Sequence, residues 1–133
     1  MMEENVRVVV AEVCDGERYL ITQRSADSLF GGLWEFPGGR VRSGETDQEA
    51  LSRAVLDRLG VSADVGACLE ESGHSYASRH ITLAVYQCTL RGVPRSARVA
   101  ALAWVTVDEL DNYSFPPADE ASIVRLLGED TEG

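Results

Sequence analysis

The chain has 133 residues, the size of one domain with a single core, and 44% of them are apolar, an ordinary share for a globular protein. Its formal net charge of −10 argues against direct binding to duplex nucleic acid or to an anionic membrane, because both surfaces are themselves negative. All twelve basic residues are arginines, so no lysine is available as a nucleophile.

The first third of the chain predicts a β-hairpin followed by a loop. Valine-rich residues 6–13 are typical of a strand, and Asp15-Gly16 is a hairpin signal. The segments expected to follow are a return strand over residues 19–22, a loop over residues 25–32 and a short extended piece over residues 33–36.

A helix with clear ends is predicted over residues 47–59. Thr46 with Glu49 three residues later forms a capping box, and Gly60 stands where a left-handed cap is wanted. The apolar residues of the helix repeat every four positions, which predicts one buried stripe formed by Leu51, Val55 and Leu59.

The second half predicts further strands and a closing helix, and the whole chain, 1–133, is expected to form one domain. Strands over residues 63–71 and 79–90 are followed by a third over residues 99–107. Residues 72–75 are expected to loosen the first strand, and the second carries apolar residues on both faces. One helical turn at 108–110, a last helix starting near Asp119 and a frayed tail from about residue 129 complete the pattern.

The cysteines and the N-terminus indicate a reducing compartment. Cys14, Cys68 and Cys88 are odd in number and lack metal-ligand or redox spacing, so we expect three buried or half-buried thiols. The acidic N-terminus is followed by only a short apolar run, which matches neither a signal peptide nor a membrane span. These features predict a cytoplasmic protein.

The glycine turn and the helix together resemble the Nudix box, a motif of glycines, glutamates and an arginine at fixed spacing. Ala54 and Arg58 stand where that motif has glutamates, and Asp57 is a shortened match. The positions that match the motif are Gly39, Glu45, Arg53, Val55, Gly60 and Val61.

The resemblance implies a Nudix-type α/β/α sandwich, with a mixed sheet between helices, and a site that uses Mg²⁺ or Mn²⁺. In the family, glutamates of the box and a backbone carbonyl at the glycine turn hold the metal, which leaves Gly39 and Asp57 as ligands here. The resemblance makes Glu45 and Arg53 the pair that ties the loop to the helix. The predicted catalytic set is therefore Gly39, Glu45, Arg53 and Asp57.

Two of these positions have more than one interpretation. Asp57 is either a metal ligand or the ion-pair partner of Arg53. Arg58 either contacts a phosphate, substituting its charge for that of the metal, or is an exposed helix arginine. Replacement ligands from elsewhere are possible, and they are otherwise solvated acids: Glu70, Glu71, Asp119 and Glu120.

Beyond the box, the chain resembles the MutT branch of the family, which removes 8-oxo-dGTP from the nucleotide pool. The matching runs are residues 21–24, 35–39, 79–83 and 115–120. The resemblance places Arg24 and Arg79 near a nucleotide, Phe36 in the base pocket and Asp119 at the purine edge. The alternatives are two surface arginines, a core aromatic residue and a helix N-cap.

The sequence is compatible with three functions. The first is a hydrolase of nucleoside di- or triphosphate derivatives that is weakened by Ala54 and Arg58. The second is a catalytically silent Nudix domain that binds a nucleotide or a protein. The third, a DNA-repair accessory module, is disfavoured by the acidic charge. A monomer and a homodimer are both compatible with the sequence.

Overall fold

The computed structural model of the chain describes residues 4–28, 31–76 and 79–115. Within this part of the chain, no helix is long and apolar enough to cross a membrane. The described elements, in chain order, are β1 (Glu4–Asp15), β2 (Arg18–Gln23), β3 (Trp34–Glu35), β4 (Gly38–Arg40), α1 (Asp47–Leu59), β5 (Ala63–Tyr76), β6 (Arg79–Leu90), β7 (Ala101–Val105) and a 3₁₀ helix (Asp108–Asn112).

Strand β1 is the centre of a mixed sheet. It pairs in parallel with β6 along most of its length and antiparallel with β4. Its last residues turn through Gly16, at φ 64°, into the antiparallel strand β2. Beyond these pairs, β5 continues the sheet from β6, while β3 and β7 pair with β2. The predicted α/β class with a mixed sheet is confirmed.

Helix α1 packs its apolar stripe against the sheet, and its predicted bounds are confirmed. The Thr46 hydroxyl accepts a hydrogen bond from the Glu49 N–H at 3.1 Å, and the Glu49 carboxylate accepts one from the Thr46 N–H at 2.9 Å. Gly60 ends the helix at φ 69°. The stripe, Leu51, Val55 and Leu59, is fully buried. It packs in one core with residues of β1, β2 and β6, which are Val9, Ala11, Leu20, Ala84 and Tyr86.

The first residue of the helix, Asp47, is fixed to the sheet by a charged network. Arg7 of β1 donates two hydrogen bonds to its carboxylate, both at 2.7 Å, and the Tyr86 hydroxyl donates another at 2.5 Å. Arg7 also contacts Glu71 of β5 at 2.7 Å. The Arg7 guanidinium keeps the pKa of Asp47 below its ordinary value, and Asp47 raises the pKa of Tyr86 to about 12. The network joins α1 to three strands.

Two predicted strands differ from the structure. Strand β5 continues to Tyr76, so the expected loosening over residues 72–75 is wrong. The reason is that the backbone there stays paired with β6, and the irregularities fall instead between Val65 and Glu70. Strand β7 covers Ala101–Val105 rather than residues 99–107, because only this stretch pairs with β2. The helix expected from Asp119 lies outside the described residues.

The cysteine prediction is correct for one thiol of three. Cys88 lies in the core, where burial raises its pKa to about 11. Cys14 and Cys68 are exposed, so the expectation that all three are buried or half-buried is wrong. Whether a strand residue is covered depends on which distant elements pack over it, which the local pattern could not show.

Candidate active site

The site is built where β4 passes beneath helix α1. An added Cβ at Gly38 would overlap the carbonyl oxygen of Val9, so this close pairing of β4 with β1 requires glycine. At Gly39, a Cβ would lie 3.5 Å from the Cβ of Ala54 and 3.9 Å from both Nη atoms of Arg58. The Arg58 side chain therefore turns inward, toward β4.

Glu45 and Arg53 tie the loop before α1 to the helix. The Arg53 guanidinium donates to both carboxylate oxygens of Glu45, at 2.8 and 2.9 Å, and to the carbonyl of Arg40 at 3.1 Å. Glu45 also accepts a hydrogen bond from the N–H of Arg42 at 2.9 Å. These contacts, chiefly that with Arg53, lower the pKa of Glu45 to about 2. The loop–helix contact that the family resemblance implies is present.

Asp57 has a different partner from the one considered in the sequence. It forms an ion pair with Arg98 at 3.4 Å, and the two side chains are 48% and 70% exposed. The close ion pair of Arg53 is with Glu45, and Asp57 acts on Arg53 only through its charge, which contributes to the raised pKa of Arg53. Arg98 reaches the helix because the N–H groups of Ala97 and Arg98 both donate to the Arg58 carbonyl at 3.1 Å.

Six arginines from several parts of the chain, two of them on α1, line a cavity of about 480 Å³ beside Gly39, which we call the arginine-lined cavity. The acids among its lining residues are Glu35 and Asp57. Arg24 is 8% exposed and pairs with Glu35 at 3.1 Å. Although the chain is acidic overall, half of its arginines meet here, which favours a polyanionic ligand. They are Arg24, Arg40, Arg42, Arg53, Arg58 and Arg98.

A second cavity, of about 470 Å³, adjoins the first and is mainly apolar. Phe36 and Phe115 line it, with their ring centroids 6.1 Å apart. We call it the apolar cavity. It shares three lining residues with the arginine-lined cavity, which are Glu35, Gly39 and Arg58. The two cavities together can take a molecule with one flat apolar end and one charged end.

Some predicted residues are not brought to this site. Arg79 begins β6 and is not among the described residues that line either cavity. Among the possible replacement ligands, Glu70 lines the apolar cavity rather than that of Asp57, and Glu71 is engaged by Arg7. Asp119 and Glu120 lie outside the described residues, so their predicted roles stay predictions.

Among the described residues, the helix side chains nearest Gly39 are a poor fit for Mg²⁺ or Mn²⁺. Of the α1 residues that line the cavity beside Gly39, Ala54 has no ligand atom, Arg53 and Arg58 carry positive charges, and Asp57 supplies the one carboxylate. Over residues 4–28, 31–76 and 79–115, no group of three His, Cys, Asp or Glu side chains is placed to hold a metal ion. Magnesium takes oxygen ligands in octahedral geometry, whereas the two described carboxylates that line this cavity, Glu35 and Asp57, are each paired with an arginine.

Three of the cavity arginines were missed in the sequence: Arg40, Arg42 and Arg98. The first two flank the glycine turn, and the absence of lysine was a signal that any phosphate site would use arginine. Arg98 comes from the loop between β6 and β7, and nothing in its local sequence pointed to Asp57.

Comparison with known proteins defines the class. The family model of the NUDIX domain matches residues 8–125, so the chain belongs to the Nudix family, and its fold is the Nudix α/β/α sandwich. Within that family it is MutT-like. It is 36% identical over 124 residues, 92% of this chain and 88% of the relative, to the "Putative 8-oxo-dGTP diphosphatase 2" of Mycobacterium tuberculosis.

Two further comparisons are with Escherichia coli sequences and structures. The chain is 32% identical over 115 residues to the CTP pyrophosphohydrolase, with 86% of this chain and 85% of that one covered. It superposes on the solution structure of the ORF135 protein with a TM-score of 0.75 at 29% identity, covering 95% of this chain and 91% of that one.

Proposed function

We propose that this MutT-like Nudix protein binds a nucleoside triphosphate or a related nucleoside diphosphate derivative and hydrolyses it slowly. The observation that carries the proposal is the pair of adjoining cavities that share Glu35, Gly39 and Arg58. The apolar cavity, with Phe36, suits a base, and the arginine-lined cavity, with Arg24, suits phosphates. The relatives whose names include 8-oxo-dGTP and CTP supply the first nucleotides to try.

Slow turnover follows from the charge around Gly39. In the family, Mg²⁺ or Mn²⁺ neutralises the diphosphate and polarises its bridging oxygens when bound. Here the guanidinium of Arg58 lies beside Gly39, and Asp57 is the remaining helix carboxylate. A positive side chain about 4 Å from a divalent cation repels it by several kcal/mol at an intermediate dielectric constant. We therefore expect the family's cofactor to bind weakly and the reaction to be slow.

The second candidate function is a silent domain that binds a nucleotide without hydrolysing it. It is favoured by the same inward position of Arg58, because a fixed cation at this point binds phosphate but neither activates water nor accepts a proton. The two candidates agree on nucleotide binding and differ only in turnover.

The test is pyrophosphate and phosphate release from 8-oxo-dGTP, dGTP and CTP, with Mg²⁺ and with Mn²⁺. We expect the wild type to turn over well below the range of typical enzymes, about 1–1,000 s⁻¹. Asp57→Asn should abolish the residual rate, and the matched control Asp64→Asn, which changes an exposed surface pair, should not.

Each other outcome has a definite meaning. Nucleotide binding with no release by the wild type supports the silent domain. Release within the typical range contradicts the proposal that the activity is weak. Absence of both binding and release contradicts the proposed function itself.

A further inference from the structure

We infer that Arg58 and Arg98 bind the phosphate chain directly, so that this protein binds polyphosphate without a divalent metal ion. The inference rests on the proposed nucleotide binding and adds the chemistry of recognition. The ligand class is a polyphosphate anion free of metal. Three observations carry it: the position of Arg58, the attachment of Arg98 and the charge of the cavity.

Arg58 lies at the junction of the two cavities. Its two Nη atoms are 3.9 Å from the point where a Gly39 Cβ would stand, and Arg58 lines both the arginine-lined and the apolar cavity. A ligand that filled both cavities would pass this guanidinium. Because a guanidinium presents a planar fork of donors, it can bind two phosphate oxygens at once.

Arg98 is attached to the same turn of α1. The N–H groups of Ala97 and Arg98 donate to the Arg58 carbonyl at 3.1 Å, and the Arg95 N–H donates to the Leu59 carbonyl at 2.9 Å. The loop that carries Arg98 is therefore fixed to the helix end. This attachment places both guanidinium groups on the wall of the arginine-lined cavity.

The present partner of Arg98 is easily replaced. Its ion pair with Asp57 is 3.4 Å long, and both side chains are about half exposed or more. Exposed pairs of this kind contribute little. A phosphate carries more charge than a carboxylate and offers more acceptor oxygens, so it can take Arg98 over from Asp57. By contrast, Arg53 is committed to Glu45 through two short hydrogen bonds.

The charge of the cavity predicts an inverted metal dependence. Among the described residues, six arginines line the cavity, and the carboxylates paired with them are those of Glu35, Asp57 and Glu45, so the excess of positive charge attracts a polyanion. Magnesium that binds to a polyphosphate in solution cancels part of the negative charge that these arginines recognise. The free anion should therefore bind at least as tightly as its magnesium complex, whereas a site that holds its ligand through metal needs the metal to be present.

The experiment is calorimetric titration of the full chain with inorganic tripolyphosphate and, separately, with 8-oxo-dGTP, in EDTA and in Mg²⁺. We expect binding in EDTA at least as tight as in Mg²⁺. Arg58→Ala and Arg98→Ala should each weaken it by about tenfold, the effect of removing a charge-assisted contact. The matched control Arg91→Ala removes an arginine of the exposed pair with Asp64 and should leave it unchanged.

The outcomes separate this inference from the proposed function. Binding of 8-oxo-dGTP in Mg²⁺ but not in EDTA overturns the inference and leaves the proposed function standing. Binding in EDTA that neither Arg58→Ala nor Arg98→Ala weakens also overturns the inference. Absence of binding in both conditions overturns the inference and the proposed function together. Arg98 lies on a loop, so its variant tests the inference even if Arg58→Ala fails to fold.

Discussion

The loop before α1 and the last turn of α1 lie against the same strand, β4, and they differ in how tightly their charges are paired. At the loop, Arg53 donates to both oxygens of Glu45 and to a backbone carbonyl, with distances of 2.8 to 3.1 Å. At the last turn, Asp57 has one exposed contact with Arg98 at 3.4 Å. The first set of contacts fixes a shape, and the second can exchange partners.

On the proposed function, the scaffold of the box and its metal chemistry are separable. The scaffold depends on Glu45, Arg53 and the buried stripe, all of which are in place. The metal chemistry depends on positions 54, 57 and 58, where alanine and arginine replace two carboxylates. The proposed function is therefore that of a Nudix domain that keeps its cavity while its charge preference changes from metal to phosphate.

The largest effect on the scaffold is expected from Leu51→Ala. Leu51 is fully buried in the core beneath α1, and removal of such a side chain leaves a cavity that costs about 2–5 kcal/mol of unfolding free energy. Urea denaturation measures the loss. The control Leu56→Ala, at a position that is 53% exposed on the same helix, should change stability by about 0.5 kcal/mol or less. Equal losses in the two variants would contradict the burial pattern.

A smaller effect is expected from Arg53→Ala, and a smaller one still from Arg98→Ala. The first variant removes two hydrogen bonds from Glu45 and one from the Arg40 carbonyl, so the melting temperature should fall by several degrees, though less than for Leu51→Ala. The second removes an exposed contact, and its melting temperature should match that of the wild type. If Arg98→Ala were the more destabilising of the two, the comparison between loop and helix end would be wrong.

The smallest expected effect is a change in acid sensitivity. Glu45 has a pKa of about 2 in the folded protein against an ordinary 4.5, because Arg53 stabilises its charged form. Its contribution to stability is complete above pH 4.5 and is lost as the pH falls toward 2, since the unfolded state takes up the proton first. Glu45→Gln should therefore lose stability less steeply than the wild type between these values, as followed by circular dichroism.

The control for this measurement is Glu17→Gln, which changes an exposed turn residue and should follow the wild-type curve. Parallel acid curves for the wild type and Glu45→Gln would contradict the role given to the Glu45–Arg53 pair.

Local signals in the sequence were sufficient for α1 and β6. The bounds of α1 follow from the Thr46–Glu49 capping box and from Gly60, which act within a few residues. The bounds of β6 follow from its continuous apolar pattern. The Glu45–Arg53 contact came from the family resemblance, and the structure shows it directly.

Contacts between distant segments were not accessible in the same way. The sequence places Asp47 at the start of the helix but does not predict its partners. Its hydrogen bonds with Arg7 and Tyr86 depend on how the strands pair in the sheet. The helix spacing pointed to a partner of Asp57 within one helical turn, but its partner Arg98 lies on the loop after β6. The inward position of Arg58 also required the structure, because an arginine on the flank of a helix can turn toward solvent or toward the sheet.

The central claim is that the last turn of α1 favours phosphate over metal. Its most direct test is a titration with Mn²⁺, monitored by electron paramagnetic resonance. The wild type is compared with the Ala54→Glu, Arg58→Glu double variant. We expect the double variant to bind Mn²⁺ more than about tenfold tighter, because two carboxylates join Asp57 and a repulsive charge is removed. Mn²⁺ binding by the wild type that is equally tight and is lost in Asp57→Asn would contradict the claim.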